Sequence, residues 1–192
     1  ELETRCDTDK LLKEIKDFEW TQYNPRKKIN RYGLSVTSSD GTRNGIDLDS
    51  IYEHNRENGT RYDEDSFKTF TDVYYKSEET QKLVEPFKPW LWRTHFLNFR
   101  KGGYFPPHRD MRTSDEQKSM RLLVPISLCN PADMYFMYED KSLYFKYGSV
   151  YFLNTNKKHS IFSYSDEAIM LIMNIECSED SVKQVIKLNK WK

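Results

Sequence analysis

The sequence predicts a mainly β protein with flanking helices, an α+β chain whose second half closes into a sandwich, jelly roll or barrel. Aromatic residues are abundant, with 13 Tyr, 11 Phe and 4 Trp, and such side chains favour the pleated, half-buried surface of a strand. From Trp90 onward, short apolar or alternating segments follow one another at regular intervals. Turn signals separate them at Gly102-Gly103, Asn130-Pro131, Tyr147-Gly148 and over 154–157. That rhythm belongs to antiparallel two-sheet and barrel folds.

The elements follow in order. Asp7 and Thr8 can cap a first helix in which Leu11, Leu12, Ile15 and Phe18 recur at helical spacing, and Pro25 lies beyond its end. Residues 30–61 are polar and carry the turn pairs Asp40-Gly41, Asn44-Gly45 and Asn58-Gly59 around one short extended piece at 32–37. Loops and short strands are expected there. Asp65-Ser66 opens a stretch that puts Phe67, Phe70, Val73 and Tyr74 on one helical face, and a second run over 78–87 ends at Pro89, so one or two helices are expected. Strands are expected over 90–99, 120–128, 134–138, 142–145, 149–153, 159–164 and 168–175. Ser178-Glu179-Asp180 can start a last helix carrying Val182, Val185 and Ile186. The whole reads as one structural domain, with 1–88 as a helical and loop extension packed on a β core formed by 89–192.

A chain of 192 residues can bury a substantial core. Its 30 basic and 30 acidic residues cancel, which gives no electrostatic reason to bind nucleic acid or an anionic membrane surface. Cys6, Cys129 and Cys177 are scattered and lack CxxC spacing, so neither a disulfide framework nor a zinc knuckle is expected and a reducing, cytoplasmic setting fits. No apolar run approaches the roughly 20 residues of a membrane span. Asn58-Gly59-Thr60 matches a glycosylation sequon but reads as a plain turn.

Chemistry concentrates at His108, Asp110 and His159. Residues two apart on a strand point to the same side, so His108 and Asp110 can reach one ion while Arg109 faces away. Pro106-Pro107 hold the approach extended, and Gly102-Gly103 let the chain reverse after Phe99. His159 opens a segment distant in sequence that a rolled sheet can bring alongside. Two imidazoles and one carboxylate with open positions are the ligand set of non-haem Fe(II) oxygenases. A His-x-Asp pair alone can equally be a surface ion pair, and a zinc site or a metal-free protein of the same fold stays open. The carboxylate in place of a third His favours Fe(II) over structural zinc.

At these residues the chain resembles the iron(II)/2-oxoglutarate-dependent dioxygenases, within them the aspartyl/asparaginyl β-hydroxylase and cis-proline-hydroxylase branch. The similar stretches run from Asn98 through Gly102-Gly103 and Pro106-Pro107 to Asp110, over 120–126 (Met-Arg-Leu-Leu-Val-Pro-Ile), and from Gly148 to His159. The resemblance covers about residues 90–176. It implies a double-stranded β-helix core of jelly-roll, cupin-like type. It further implies Fe(II) held by His108, Asp110 and His159, 2-oxoglutarate as co-substrate, O₂, and hydroxylation of a free amino acid or a peptidyl side chain with release of succinate and CO₂. The alternatives are a metal-binding cupin without oxygenase activity and a binding protein that has lost catalysis.

One departure bears on the co-substrate. Many family members carry an Arg about ten residues after the distal His, where this chain reads Ala168-Ile169-Met170. A dianion in an apolar pocket needs a cation, and Arg matches a carboxylate with two parallel donors. Arg121, in a mostly apolar strand where an inward charge needs a partner, is the replacement candidate. Its alternative is an edge Arg paired to some carboxylate. Arg100, Lys157 and Lys158 are weaker candidates. Asn98 could hydrogen-bond the co-substrate, as polar groups from this strand do in the family, whereas His95 reads first as a satisfied core or surface histidine. The long polar loops over 38–64 read as an exposed connection with a substrate lid as the alternative.

Overall fold

The computed structural model of the chain describes residues 1–110 and 118–190. Helix α1 (Thr8–Ile15) begins where Asp7 accepts from the Lys10 backbone N–H. Short β1 (Thr21–Gln22), β2 (Arg31–Ser35) and β3 (Thr37–Ser38) follow, then α2 (Ile51–Asn58), β4 (Thr69–Phe70), α3 (Asp72–Lys76) and α4 (Glu78–Val84). The second half holds β5 (Leu91–Phe99), β6 (Tyr104–His108), β7 (Ser119–Ser127), β8 (Met134–Tyr138), β9 (Lys141–Ser142), β10 (Tyr151–Leu153), β11 (His159–Ser163) and β12 (Ala168–Glu176). Helix α5 (Glu179–Lys187) closes the described chain, started by the Ser178 cap that the sequence predicts. No helix among the described residues is long and apolar enough to cross a membrane.

Two antiparallel sheets make the jelly roll. The larger has the order β1-β2-β5-β12-β7-β10 and the smaller β6-β11-β8-β9, with β3 and β4 forming a separate pair. Both faces of the large sheet are covered, so β5 is buried along its whole length and β7 and β12 are largely apolar. Phe96, Leu122, Val124, Leu171 and Met173 face one cluster with Leu11, Ile15 and Leu83 of the helices. Their neighbours Leu97, Leu123, Met170 and Ile172 face the other way and pack with Phe136 and Ile161 of the small sheet. The inner cluster therefore lies between the sheets, where a cavity also opens.

The turn from β5 into β6 depends on two glycines. Gly102 adopts φ +77°, and a Cβ on Gly103 would lie 2.2 Å from the Asn30 carbonyl oxygen. Backbone approach this close excludes any side chain. The turn sets β6 beside β11 and carries His108 to its observed place.

The structure departs from the sequence expectations in four places. Residues 51–58, expected as loop, form α2, which buries none of its residues. Its ends explain it: Ser50 accepts from the Glu53 N–H, and Gly59 at φ +66° terminates it, so the Asn58-Gly59 turn signal is a helix end. Phe67 and Phe70 lie outside the helix that begins at Asp72, because Thr69–Phe70 pair with Thr37–Ser38 instead. The strand expected over 142–145 stops at Ser142, since the Asn130 side chain takes both the N–H and the C=O of Phe145. Finally, residues 1–88 are more than a packed extension. They contribute β1 and β2 to the large sheet, with Gly33 opposite Leu97 and Ser35 opposite His95.

Beneath β2 lies a buried carboxyl. Asp47 is fully buried, with Oδ1 accepting from Ser35 Oγ at 2.8 Å and Oδ2 without a partner among the described residues. Burial pushes its pKa up from 3.8 to about 6, against the lowering effects of Ser35 and Arg93. Because the folded value lies above the unfolded one, its contribution to stability is fully present below about pH 4 and is lost as pH rises through about 6. Asp47→Asn is therefore expected to flatten the stability–pH profile between pH 4 and 7 and to stabilise the fold at pH 8. The gain is on the order of 1–3 kcal/mol, since a tenfold change in a protonation constant is worth about 1.4 kcal/mol. Urea titrations of both proteins at pH 5 and pH 8 check this; equal slopes with pH would contradict it.

Candidate metal centre

Three strand ends converge on the centre. His108 is the last residue of β6 and His159 the first of β11, and the two stand opposite each other in the antiparallel ladder. Asp110 lies two residues beyond His108, where its N–H donates to the Thr155 carbonyl at 3.0 Å in the turn before β11. Candidate ligand atoms of the three side chains all lie within 4.8 Å of one another, an arrangement that could hold a metal ion.

Hydrogen bonding fixes which imidazole nitrogens are available. His108 Nδ1 lies 2.6 Å from the Pro106 carbonyl oxygen and His159 Nδ1 lies 2.9 Å from that of Lys157. A carbonyl can only accept, so each Nδ1 carries a proton and Nε2 is the nitrogen left to give its lone pair to an ion when the ring is neutral. Both Nε2 atoms face Asp110 Oδ1, at 3.4 and 3.9 Å. The other oxygen, Oδ2, accepts from Arg121 Nη1. The carboxylate thus presents one oxygen to the shared point while the other is held.

Electrostatics follow from this geometry. Burial pushes the Asp110 carboxyl up, but the Arg121 charge and the His108 hydrogen bond outweigh it and hold the group well below the usual carboxylate range. The Asp110 hydrogen bond raises His108, whereas burial lowers the more enclosed His159.

The centre opens onto a cavity of about 810 Å³ between the sheets, with His108, Asp110, His159 and Arg121 all on its wall. Arg121 Nε also donates to Asn174 Oδ1 at 3.1 Å. Asn174 Nδ2 in turn donates to Glu64 Oε2 at 3.0 Å, and Glu64 Oε1 accepts from Arg93 Nη1 at 3.0 Å. A polar chain therefore runs from Asp110 across three strands to the segment around residue 64. That segment, expected first as an exposed connection, forms part of the cavity wall through Ser50, Ile51, Asp63 and Glu64.

Other sequence candidates lie elsewhere. Asn98, expected near the co-substrate, is not on the cavity wall. Positions alternate along β5, so Arg93, His95 and Leu97 face inward and Asn98 belongs to the opposite face. Arg100 lies over the Tyr32 ring and Lys157 pairs with Glu139, and neither lines the cavity, nor does Lys158. Arg109, expected to face away from the ion, is exposed at the cavity rim. Arg93, Glu64 and Asn174 are absent from the sequence expectations. For Arg93 and Asn174 a usable signal exists, a polar side chain of inward parity within an apolar strand. Glu64 gives no signal, because its approach from a distant turn is tertiary.

Neither a family model nor a curated protein matches the chain. Solved structures do. KdgF from Halomonas sp. is similar at 9% identity over 86% of this chain and 92% of that one, with a TM-score of 0.42. A predicted oxalate decarboxylase from Thermotoga maritima is similar at 15% identity over 49% and 74%, with a TM-score of 0.34. An RmlC-like cupin from Desulfovibrio desulfuricans is similar at 15% identity over 43% and 70%, with a TM-score of 0.31. At such identities and TM-scores these likenesses carry nothing about the activity of this chain.

Proposed function

We propose that this chain is an Fe(II)- and 2-oxoglutarate-dependent dioxygenase that hydroxylates an amino-acid or peptidyl side chain. One observation carries the reading: a two-His, one-carboxylate cluster with free Nε2 atoms shares a cavity wall with an arginine. The donor set fits Fe(II). His108 and His159 would each give Nε2 and Asp110 would give Oδ1. The ion with 2-oxoglutarate and O₂ supplies oxidative decarboxylation to succinate and CO₂, with transfer of one oxygen atom to a substrate C–H bond.

The chain's own residues do the remaining work. The Pro106 and Lys157 carbonyls fix the two rings, and Arg121 fixes Asp110, so the three donors are preorganised. Among the described residues, Arg121 makes bonds through Nε and Nη1. Its Nη2 is left to meet the carboxylate of a bound 2-oxo acid, as an arginine can. Leu123, Phe136, Ile161, Met170 and Ile172 line the inner wall and exclude water, which strengthens each polar contact made there. At the outer wall, Lys27, Asp63, Glu64 and Lys118 present both signs of charge, which suits a substrate bearing both an amine and a carboxylate.

A second reading has one observation in its favour. Arg121 is already bound to Asp110, so it can serve only to orient that ligand in a metal-binding cupin without a 2-oxo acid. Anaerobic titration of the Fe(II)-loaded protein with 2-oxoglutarate separates the two. The expected result is a visible metal-to-ligand charge-transfer band that saturates. Iron binding without any band would favour the cupin reading, and no iron binding would favour a protein without catalysis.

A further inference from the structure

The outer face of the small sheet carries aromatic rings where a solvated face calls for polar side chains. Alternation along β11 turns His159 and Ile161 toward the cavity and Ser160 and Phe162 away from it. Phe162 stands opposite Tyr104 on β6 and Tyr135 on β8, in one line across the sheet. Tyr104, Phe162 and Tyr135 are 39, 41 and 40% exposed. Tyr164, at 57%, meets the Phe162 and Tyr135 rings at centroid distances of 4.9 and 5.9 Å. The next line on this face sets Ser160 opposite Met137. None of these positions is charged, although 31% of the chain is. Tyr, Phe and Met without charge is the composition of a protein interface core.

The order of the rings says what covers them. Tyr104 and Tyr135 flank Phe162 on its two sides, each one strand spacing of about 4.8 Å away. A two-fold axis lying over Phe162, along or across the strands, therefore sets Phe162 on its counterpart and tyrosine on tyrosine. The row is its own complement, as an isologous contact between identical chains requires. Aromatic side chains of about 200 Å² exposed to this degree offer roughly 350 Å² per copy, or about 700 Å² in a pair. That is just under half of the roughly 1,600 Å² a standard interface buries, so the pairing is weak and reversible. A single-stranded nucleic acid would need cations beside the rings, and these positions supply none.

We propose that the outer face of the small sheet is a contact between two copies of this chain, with Phe162 on the two-fold axis. The contact is independent of the dioxygenase reading, because each cavity lies on the far side of its own sheet.

Sedimentation velocity of the full chain across the micromolar range tests it. Wild type should pass from monomer to dimer with a midpoint on the order of 10–100 μM. Phe162→Lys should weaken the pairing at least about a hundredfold, since it places two like charges against each other at the centre of the contact. Tyr52→Ser removes a ring that is 72% exposed on α2, and it should pair as wild type does. Cys177 is the exposed cysteine, so a crosslink is sought in a Cys177→Ser background. There Phe162→Cys should oxidise to a disulfide-linked dimer and Tyr52→Cys should not. A monomer at every concentration would overturn the proposal; if poly(U) or cellohexaose then shifts wild type and not Phe162→Lys, the row belongs to that ligand instead. A dimer that survives Phe162→Lys would place the contact elsewhere and equally overturn it. Circular dichroism melting shows whether each variant is folded. Should Phe162→Lys not fold, the milder Phe162→Ser and the crosslink decide, and a Phe162→Ser that pairs as wild type does, with no crosslink at 162, rejects the contact.

Discussion

Replacing His108 or Asp110 with alanine is expected to abolish turnover while leaving the jelly roll folded. Each residue offers one of three candidate donor atoms gathered within 4.8 Å, so each substitution removes one donor of the three. Losing only an outer partner of a ligand typically weakens metal binding about 10–100-fold, and losing the ligand itself should exceed that. The fold has little to lose at His108, which is a half-exposed strand end whose ring touches Phe105 and His159. Its substitution should change stability by less than about 1 kcal/mol. Asp110→Ala goes further, because among the described residues it leaves the Arg121 guanidinium with Asn174 alone. Metal affinity by competition with a chromogenic chelator, turnover by succinate release and circular dichroism melting separate these effects. Turnover retained by either variant would reject the assignment.

How much of this site was legible in sequence depends on how local each residue's evidence is. His108 and Asp110 were readable because strand geometry makes an i, i+2 pair share a face, and the neighbouring Gly-Gly and Pro-Pro pairs declare the bend that aims them. His159 was readable only from its place at the head of a late strand, since the pairing that sets it opposite His108 is long-range. Arg121 stood out as a charge in an apolar run. The Asn98 expectation conflicts with alternation itself. His95 and Asn98 are three apart on one strand, so one facing the cavity puts the other behind the sheet, and burial at β5 decides for His95. The loop expectation over 51–58 failed because α2 is made by its caps and by Asn55, whose side chain bonds the N–H and C=O of Tyr62, and no apolar stripe marks it. Nothing in the neighbourhood of Glu64 signals a contact with Asn174, 110 positions away.

Arg121→Ala is expected to strike twice, through the ligand it holds and through the anion it faces. Asp110 Oδ2 would lose its donor, so the carboxylate could rotate and metal affinity should fall about 10–100-fold. In metal-free protein, the Asp110 carboxyl would rise from its depressed value, because the largest effect opposing burial is gone. The sign follows from the depressed folded value: the stability it contributes is present above the unfolded pKa of about 3.9 and is lost as pH falls through the folded one. The variant should therefore be less stable than wild type at pH 7, with the gap narrowing in acid below about pH 4. Urea melts at pH 7 and pH 3.5 measure that narrowing, and a pH-independent gap would mean the pair is not what stabilises Asp110. The two roles of the arginine part company once the variant is saturated with Fe(II). If Arg121 only orients Asp110, the 2-oxoglutarate midpoint returns to the wild-type value when enough metal is supplied. If it also grips the anion, the midpoint stays weaker by roughly tenfold or more, the worth of a hydrogen bond between charged groups. Arg121→Lys sharpens the distinction. An ammonium keeps the charge but cannot reach Asp110, Asn174 and an anion at once as the planar guanidinium can, so it should recover the pH dependence of stability sooner than it recovers co-substrate affinity.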